Sequence, residues 1–279
     1  MLLTGLSIHP VKSTAIRAVT SADVTPGGLD GDRTWVVVDA EGVLVSAREQ
    51  HSLFTITTDT PTTDPSLASA LRLRAADLPD LLLDVPTGDP VRARVHKQEL
   101  QGLPAGPEAD AWLAKALGRD DLRLVWCDDP TRRTLNPAHS RPDDYTAYAD
   151  GYPVTIASEA SLRQLNDWII EGALDRGEEP PAPLPMQRFR PNVVVDGDSP
   201  FAEDHWTSVQ VGDVRFRVAK PTDRCVMTTI DLESLQTSKE PIRTLARHRL
   251  VDHKTLFAVN LIPETTGRIS VGDPVTVRT

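Results

Sequence analysis

Cys225 is the residue of this sequence whose type and surroundings best suit metal chemistry. It ends the segment Lys220–Cys225, which follows a predicted strand at Val214–Ala219. The proline in this segment is expected to force the chain out of the sheet and to put the cysteine on a loop. The adjacent Arg224 favours thiolate over thiol, and a thiolate is a soft ligand for a redox metal. Considered alone, a cysteine is more commonly a small buried hydrophobic residue, and Cys127, with no flanking cation, is assigned that role.

Four cationic residues lie at the ends of predicted strands. They are Lys12, Arg48, Arg190 and Arg224. Arginine presents a planar fork that matches phosphate, and lysine presents a point charge. For any one of these residues, a solvated surface charge is the commoner outcome. Because the chain is acidic overall, we nevertheless expect the four to converge around one anion pocket near Cys225.

Composition restricts the classes of function. The 279 residues suit one large domain or two modest ones, and 39% hydrophobic residues suffice for a core. A net charge of −10 opposes nucleic-acid binding. Two cysteines exclude a disulfide scaffold and an iron–sulfur cluster held by four thiolates of this chain. With no apolar run of ~20 residues and no signal-peptide pattern, we expect a cytoplasmic protein without a membrane partner.

Short runs of strand-like composition predict a mainly β protein with a few helices, of the α+β class. One hairpin is predicted from Trp35–Val38 and Val43–Ser46, and a further strand at Leu53–Thr58. The predicted helices are Ala109–Leu117, a segment from the capping residue Ser158 to Ile170, and a segment opened by Pro241 that turns Ile242, Leu245 and Ala246 inward. Dinucleotide-binding, P-loop, nucleophile-elbow and zincin motifs are absent, and the seven histidines lack metal-ligand spacing.

A series of short motifs follows in a characteristic order. The motifs are Ile8–Ser13, Ala47-Arg48, Ala149–Pro153, Ser158–Leu162, Arg188–Asn192, Arg224-Cys225 with Thr228-Thr229, and Gly272–Val275. In this order they resemble the MOSC-domain proteins of the amidoxime-reducing type. One such motif is weak evidence, whereas the ordered series, from about Leu2 to Val277, is specific; residues 59–118 are the least distinctive.

The resemblance implies a β-rich N-terminal domain at residues 1–125 and a MOSC-type β-barrel domain at residues 126–279. It also implies a molybdenum cofactor, with the metal bound to molybdopterin, and Cys225 as both the metal ligand and the catalytic residue. The residues that it places at the cofactor are Lys12, Ser13, Arg48, Tyr152, Arg190, Asn192, Asp223, Arg224 and Asn260.

Two motifs depart from the family pattern. The usual Cys-Ser-Arg-Cys is replaced by Thr222–Cys225, in which Asp223 puts a carboxylate near an anionic cofactor. The usual Phe-Gly-Gln before Asn260 is replaced by Phe257–Val259, so we expect that wall of the pocket to differ in shape. We also expect no built-in ferredoxin domain, which some bacterial relatives carry at the C-terminus.

Two hypotheses follow from the resemblance. In the first, the protein is a molybdenum-dependent oxidoreductase that removes oxygen from small N-hydroxylated substrates, with a separate ferredoxin- or flavodoxin-type protein as electron donor. In the second, it is a non-catalytic protein that carries the cofactor or a sulfur atom, and Cys225 is a carrier thiol. Turnover of a model amidoxime with a supplied donor discriminates between them.

The absence of a nicotinamide motif generates a testable prediction. Purified cofactor-loaded protein should not reduce benzamidoxime with nicotinamide cofactor alone, because the sequence offers no site for it. A strong chemical reductant, or a reduced ferredoxin or flavodoxin, should restore turnover. Benzamidine formation is measured with each donor in turn, and turnover with nicotinamide cofactor alone would reveal a site that the sequence analysis missed.

Overall fold

The computed structural model describes residues 1–279, which form two compact units. The first, here the cysteine unit, comprises Met1–Ser7, Thr20–Pro26 and Val154–Thr279. The second, here the lysine unit, comprises Ile8–Val19 and Gly27–Pro153. The expected sequence domains at residues 1–125 and 126–279 stay a prediction, because these units combine separate chain segments.

Strands dominate the structure, which confirms the prediction of a mainly β protein with a few helices. The strands are β1 (Leu3–Ile8), β2 (Arg17–Val19), β3 (Ser21–Thr25), β4 (Gly28–Leu29), β5 (Trp35–Val38), β6 (Thr57–Asp59), β7 (Leu71–Arg74), β8 (Leu81–Leu83), β9 (Val91–Arg92), β10 (Gln101–Pro104), β11 (Arg123–Trp126), β12 (Val154–Ser158), β13 (Val193–Val195), β14 (Ser208–Val211), β15 (Val214–Asp223), β16 (Leu250–Val251), β17 (Lys254–Pro263), β18 (Gly267–Ser270) and β19 (Val275–Arg278). The α-helices are α1 (Pro107–Leu117), α2 (Glu159–Asp175) and α3 (Ile242–His248). No helix has the length and apolar content needed to cross a membrane.

The cysteine unit is built on a sheet with the strand order β19-β14-β15-β17-β12-β13-β1. The pairs are antiparallel except β12 with β13, which is parallel. Along β15, Val214 and Phe216 are buried while Arg215 is exposed, the alternation of a strand with one face on the core. Strand β15, which pairs with β17 along most of its length, ends two residues before Cys225.

The prediction that Pro221 forces the chain out of the sheet is wrong. Strand β15 continues to Asp223, and Pro221 pairs with Val259. Proline can lie in a strand where no ladder hydrogen bond is required of its nitrogen, commonly at an irregularity. The register shifts on both sides of it, between Val218 and Lys220 and between Pro221 and Asp223. Cys225 still follows the end of the strand, as predicted.

The second of these shifts coincides with an unusual residue on the partner strand. Ala258 is buried and has a φ of 69°, a left-handed conformation that glycine adopts more easily. An extra residue in one strand with this conformation produces a β-bulge, which reorients neighbouring carbonyl groups. The position where the resembling family has glycine therefore has backbone geometry suited to glycine, with alanine in its place.

Helix α2 begins where the sequence predicts, and the Ser158 hydroxyl caps it by accepting a hydrogen bond from the Ala160 N–H at 3.2 Å. It extends to Asp175, beyond the predicted end at Ile170. Helix α3 follows Pro241 as predicted, with Leu245 fully buried. Ala246, however, is exposed and Thr244 is buried, because the buried face of this short helix is centred one residue earlier than predicted.

The lysine unit contains a sheet with the order β5-β11-β10-β9 and a second with the order β6-β7-β8. Helix α1 ends as predicted, with Gly118 in the left-handed conformation. The predicted turn after β5 forms, but Val43–Ser46 makes isolated bridges instead of a strand. The predicted strand Leu53–Thr58 is confirmed only at Thr57 and Thr58, which belong to β6, since a 3-10 helix occupies His51–Thr55. There the Thr55 hydroxyl donates to the Ser52 carbonyl at 2.8 Å, a local bond that favours a turn.

A close approach at Gly102 generates a prediction about stability. A Cβ atom at this position in β10 would overlap the Tyr148 hydroxyl and the Trp126 carbonyl. Gly102→Ala should therefore lower the free energy of unfolding by about 1–3 kcal/mol, the usual cost of overpacking. The control is Gly151→Ala, whose Cβ would meet no atom within 4 Å. Urea denaturation gives both values, and equal stabilities for the two variants would contradict the prediction.

Candidate functional site

The backbone at Lys12 is held by hydrogen bonds to strand β5. Its backbone N–H donates to the Trp35 carbonyl at 2.8 Å, and the Trp35 N–H donates to the Pro10 carbonyl at 3.1 Å. The Lys12 ammonium is nearly fully buried. It donates to the Tyr148 carbonyl at 2.7 Å and to Asp150 Oδ1 at 2.5 Å. A buried charge requires such partners, so these contacts fix where the ammonium lies.

A second buried cation, Arg133, bonds to the segment Ala147–Asp150 that Lys12 also contacts. Its guanidinium donates to the carbonyl groups of Ala147 at 2.7 Å, of Ala149, and of Asp150 at 2.9 Å. Together with the Lys12 contact to Tyr148, four consecutive carbonyl oxygens accept hydrogen bonds from two cations. The conformation of Ala147–Asp150 is thus fixed by buried positive charge, and burial lowers the pKa of Arg133 to about 10.

Asp150 is the carboxylate that these cations share. Arg48 Nη2 lies 3.8 Å from its Oδ2, and His96 Nε2 lies 3.1 Å from its Oδ1. Desolvation acts to raise its pKa, but the charge of Lys12 and the hydrogen bonds from His96 and Lys12 outweigh it. The pKa of Asp150 therefore lies well below its usual range. The carboxylate is one negative charge beside three cations, Lys12, Arg48 and Arg133, so this cluster retains an excess of positive charge.

The same surroundings lower the pKa of Lys12 to about 8. Desolvation is the largest cause; the charge and hydrogen bond of Asp150 oppose it, and the charges of Arg33 and Arg133 add to it. Lys12 therefore carries its charge at neutral pH and loses it in mildly alkaline solution.

Ser13 completes the cluster in the lysine unit, which we call the lysine cluster: Lys12, Ser13, Arg48, Arg133 and Asp150. Ser13 is buried and has a φ of 72°. Its buried Oγ has no hydrogen-bond partner in the protein. A buried hydroxyl without a partner is uncommon, and it suits a site that accepts hydrogen bonds from a ligand or donates them to it.

The chain before Lys12 is held at His9 by the buried Asp32. Its Oδ1 accepts from the His9 N–H at 2.8 Å and lies 3.1 Å from His9 Nδ1, while Arg33 donates to Oδ2 at 2.5 Å. Desolvation acts to raise the pKa of Asp32, but the charge of Arg33 and the His9 hydrogen bonds lower it to about 2. Asp32 thus fixes the start of the segment that ends at Lys12.

In the cysteine unit, Cys225 follows β15 and caps the 3-10 helix Val226–Thr229. Its carbonyl accepts from the Thr228 N–H at 3.1 Å and from the Thr228 hydroxyl at 3.0 Å. The thiol is in no disulfide bond and is partly exposed. Cys127 differs, because it is buried in a hydrophobic cluster and desolvation raises the pKa of its thiol to about 12. This environment agrees with the prediction that Cys127 is a small buried hydrophobic residue.

The loop after Cys225 is anchored by Arg188, which sequence analysis did not single out. This buried guanidinium donates to Asp231 Oδ2 at 2.7 Å and to the Thr228 carbonyl at 3.2 Å. Asp231 Oδ1 accepts in turn from the Ser234 N–H and hydroxyl, both at 2.9 Å. Backbone and side-chain hydrogen bonds with Ser234 are the main causes that lower the pKa of Asp231 to about 2. Arg188 therefore links the segment before β13 to the Cys225 loop.

Arg224 also makes structural contacts. Its Nε donates to the Phe257 carbonyl at 2.8 Å and its Nη1 to the Phe189 carbonyl at 3.0 Å. The guanidinium carbon lies 5.8 Å and 5.9 Å from the centroids of the Phe189 and Phe257 rings, which stack on each other. This cation joins β17 to the segment that carries Arg190, whose own backbone is left-handed, with a φ of 49°.

The two predicted asparagines are buried between strands. Asn192 Oδ1 accepts from the Thr155 N–H at 3.1 Å, and Nδ2 donates to the Ser7 carbonyl at 3.2 Å. Asn260 Nδ2 donates to the Lys220 carbonyl at 3.4 Å. These bonds cross-link the sheet of the cysteine unit, a role that the sequence pattern does not show.

The other predicted residues have diverse environments. Asp223 is exposed, and Tyr152 is buried, which raises the pKa of its hydroxyl. Thr222, which neighbours Asp223, has a buried Oγ1 without a hydrogen-bond partner. No group of three or more His, Cys, Asp or Glu side chains has an arrangement that could hold a metal ion.

The structure brings Lys12, Ser13 and Arg48 together in the lysine unit. In the cysteine unit, Arg224 and Cys225 are adjacent, and Arg224 contacts the segment that carries Arg190. Tyr152 belongs to the lysine unit, whereas Asn192, Asp223 and Asn260 belong to the cysteine unit. The convergence of both groups around one pocket stays a prediction. Sequence reasoning missed Asp150 as the shared carboxylate and Arg188 as the anchor of the Cys225 loop, although both lie within quoted motifs, Ala149–Pro153 and Arg188–Asn192. It also missed His96 and Arg133, which belong to no recognised motif.

Family models match almost the whole chain. The MOSC N-terminal beta barrel domain matches residues 1–120, and the MOSC domain matches residues 143–276. Mitochondrial amidoxime-reducing component 1 of Mus musculus is 34% identical over 97% of this chain and 80% of that protein. The chain belongs to the MOSC-domain family. The Homo sapiens component 1 is also 34% identical, over 97% of this MOSC protein and 81% of its own length. Mitochondrial amidoxime reducing component 2 of Rattus norvegicus is 30% identical over 96% of this chain and 80% of its own length.

The lowered pKa of Lys12 generates a prediction about stability and pH. Between about pH 8 and the ordinary pKa of 10.5, the unfolded chain binds a proton at this residue that the folded protein has released. Stability contributed by Lys12 therefore rises with pH in this window, by at most about 1.4 kcal/mol per pH unit. The free energy of unfolding of wild type, minus that of Lys12→Met, should increase from pH 8 to pH 10.5.

The matched control is Lys12→Arg, which keeps a charge throughout the window. Its stability relative to Lys12→Met should not show the rise. Urea denaturation at half-unit pH intervals provides all three curves. A wild-type difference that stays level between pH 8 and pH 10.5 would show that the folded protein does not lower this pKa.

Proposed function

We propose that this MOSC protein is a molybdenum-cofactor-dependent reductase that removes oxygen from small N-hydroxylated substrates. The proposal is supported first by its relatives, which are named amidoxime-reducing components and resemble the chain over nearly its full length. The observation that carries it is the environment of Cys225, a partly exposed cysteine outside any disulfide, on a loop fixed by hydrogen bonds. Such a thiol is suited to serve as a single soft metal ligand.

The donor set fits a molybdopterin group. The lysine cluster has three cations for one carboxylate and an unpartnered buried hydroxyl on Ser13, which suit an anionic group that accepts hydrogen bonds. In the cysteine unit, the Cys225 thiol and the unpartnered Thr222 Oγ1 supply a soft ligand and a hydroxyl. Within the lysine unit, Lys12 and Arg48 suit a phosphate, and within the cysteine unit, Cys225 suits the metal; that both sets hold one cofactor stays a prediction.

When bound, the group would supply two-electron reduction, in which two electrons and two protons convert an amidoxime to an amidine and water. The chain's own residues orient and charge the site. Asp150, whose pKa is well below the usual range, carries no proton at neutral pH and therefore acts as a hydrogen-bond acceptor that orients Lys12. Arg188 and Arg224 fix the backbone on either side of the thiol.

The alternative, a carrier of the cofactor or of sulfur without turnover, is not favoured, because the names of the similar proteins describe reduction. A reductase needs electrons, and we propose that a separate ferredoxin- or flavodoxin-type protein supplies them. The cytoplasmic location expected from the sequence stays a prediction.

The proposed function is tested by replacing each of the two cysteines with alanine in turn. Cys225→Ala should abolish benzamidoxime reduction, because the proposed metal ligand is lost, and molybdenum bound per chain should fall well below the wild-type value of about one. Cys127→Ala is the matched control, since its thiol is buried away from solvent, and it should retain turnover. Activity is measured with a chemical reductant, molybdenum by elemental analysis, and folding by circular dichroism.

Three outcomes would count against the proposal. Near wild-type turnover in Cys225→Ala would remove Cys225 from catalysis, and a large loss in Cys127→Ala alone would show that the two thiols were assigned wrongly. Wild-type protein from a cofactor-competent host that contains bound molybdenum but fails with every donor would instead favour the carrier.

A further inference from the structure

Glu203 is a carboxyl group buried inside the cysteine unit, and the proposed function does not use it. It lies in the 3-10 helix Ala202–His205 and has an exposed fraction of 0%. Its two carboxyl oxygens lie 2.7 Å and 2.9 Å from one hydroxyl oxygen, that of Ser161 on α2. Ser161 is the only side chain that bonds to it, whereas a buried carboxylate normally has a cation or several donors as partners.

The Ser161 hydroxyl also accepts a hydrogen bond from the Phe201 N–H, at 2.7 Å. A hydroxyl group has one hydrogen to donate and two lone pairs that accept. When Glu203 is protonated, its O–H donates to Ser161 Oγ, and the Ser161 hydroxyl donates to the other carboxyl oxygen. When Glu203 is ionised, one hydrogen must serve both carboxylate oxygens. The protonated form therefore satisfies every contact, and the ionised form does not.

One ion pair lies beside Glu203, between Asp204 and Arg249, whose side chains are only 18% and 16% exposed. An ionised Glu203 would be a second carboxylate beside this single cation. Burial is the largest cause that raises the pKa of Glu203 above its ordinary value, and the charge of Asp204 adds to it. Hydrogen bonds, first that of Ser161, and the charge of Arg249 oppose the rise. The negative charge of Glu203 is thus incompletely compensated.

The other elements around Glu203 bring no further charge into the interior. On α2, Glu159 and Arg163 lie 3.8 Å apart in a pair that is open to solvent. His205, on the same 3-10 helix, is exposed. Strand β17, which also packs on this helix, contributes the apolar Phe257 to the buried cluster of the unit. Asp204 and Arg249 are therefore the charged groups that respond to ionisation of Glu203.

Phe201 is held by the same residues. Its N–H is bonded to Ser161, and the guanidinium carbon of Arg249 lies 4.2 Å from the centroid of its ring. The ring stacks on Trp168 at 5.3 Å and meets Phe257 edge-on at 6.4 Å. A change in the partner of Arg249 would therefore loosen the contacts of Phe201.

We propose that Glu203 is a proton-dependent latch between the 3-10 helix Ala202–His205 and α2. Protonated, it closes the ring of hydrogen bonds with Ser161. Ionised, it competes with Asp204 for Arg249 and releases Phe201. The latch, which consists of Ser161, Phe201, Glu203, Asp204 and Arg249, holds the cysteine unit most firmly in acid solution and loosens as the pH rises. It does not depend on the proposed function.

The test uses Glu203→Gln, which has nearly the same shape and stays neutral at every pH. Above the ordinary pKa of 4.5, the folded protein retains a proton that the unfolded chain has released, so stability from the protonated group is lost as the pH rises. The unfolding equilibrium constant of wild type, divided by that of Glu203→Gln, should increase about five-fold or more between pH 4.5 and pH 8. Urea denaturation at half-unit intervals measures it.

Two further variants distinguish the latch from a merely structural role. In an Asp204→Asn background, the same ratio should increase less, because Arg249 is then available to the ionised Glu203. Glu171→Gln removes an exposed carboxyl group of α2 and is the matched control, which should not show the increase. A level ratio for Glu203→Gln would overturn the proposal, as would an equal increase in the control. An increase that Asp204→Asn leaves unchanged would overturn the competition for Arg249.

Hydrogen exchange provides a local readout on the same proteins. Amide exchange of residues 199–206, corrected for its intrinsic pH dependence, should rise between pH 5 and pH 8 in wild type and stay level in Glu203→Gln. If that variant does not fold, wild type alone decides by comparison of this segment with strand β14. Equal pH dependence of the two segments would show that ionisation of Glu203 does not release Phe201.

Discussion

The burial of the Lys12 ammonium is the constraint on which the lysine unit's site depends. A charge removed from water must be met by oxygen atoms, and the protein supplies them from one short segment, Ala147–Asp150. Arg133 uses the remaining carbonyl groups of this segment, so two cations determine its conformation. Burial makes the charged form of each cation less favourable. The pKa values of Lys12 and Arg133 are therefore lowered, and desolvation is the largest cause in both. What results is a cluster with surplus positive charge whose geometry exists before any ligand arrives, the condition under which an anion is bound without reorganisation.

The cysteine unit positions its thiol by backbone contacts. The Cys225 carbonyl is held by Thr228, the preceding residue by Thr255, and the following loop by Arg188 through Asp231. These bonds are made by backbone groups and by neighbouring side chains, so the loop is ordered by contacts other than those of the sulfur. The cations that the sequence suggests as phosphate ligands have different partners: Lys12 and Arg48 lie beside a carboxylate, whereas Arg224 donates to two backbone carbonyls. Arginine thus supports the backbone in both units, through Arg133 in the lysine unit and Arg224 in the cysteine unit, whereas Arg48 lies beside the Asp150 carboxylate.

Local patterns predicted most elements, because caps, turns and apolar periodicity act over a few residues. The Ser158 cap, the end of α1 at Gly118 and the position of Cys225 after a strand are examples. The errors arose where distant partners override local preference. Pro221 stays in β15 because β17 shifts register around it, and Ala246 is exposed because the buried face of α3 is centred one residue earlier than its sequence predicts. In the candidate site, residue types and order led to the selection of Lys12 and Cys225, whose roles at a cofactor stay a prediction. The roles of Asp150, Arg133 and Arg188 depend on contacts across 17 to 138 sequence positions, which no local pattern encodes.

Ala258 shows how a fold can retain a feature after its usual residue has gone. The left-handed backbone at this position accompanies a bulge beside the Phe257 carbonyl, which receives the Arg224 guanidinium. The conformation is thus dictated by pairing with β15 and by a distant cation, and alanine tolerates it at a cost of about 1–3 kcal/mol. A search for relatives that demanded glycine here would discard this chain although its backbone has the required shape. Diagnostic patterns for such proteins are therefore better written in terms of backbone conformation than of residue identity.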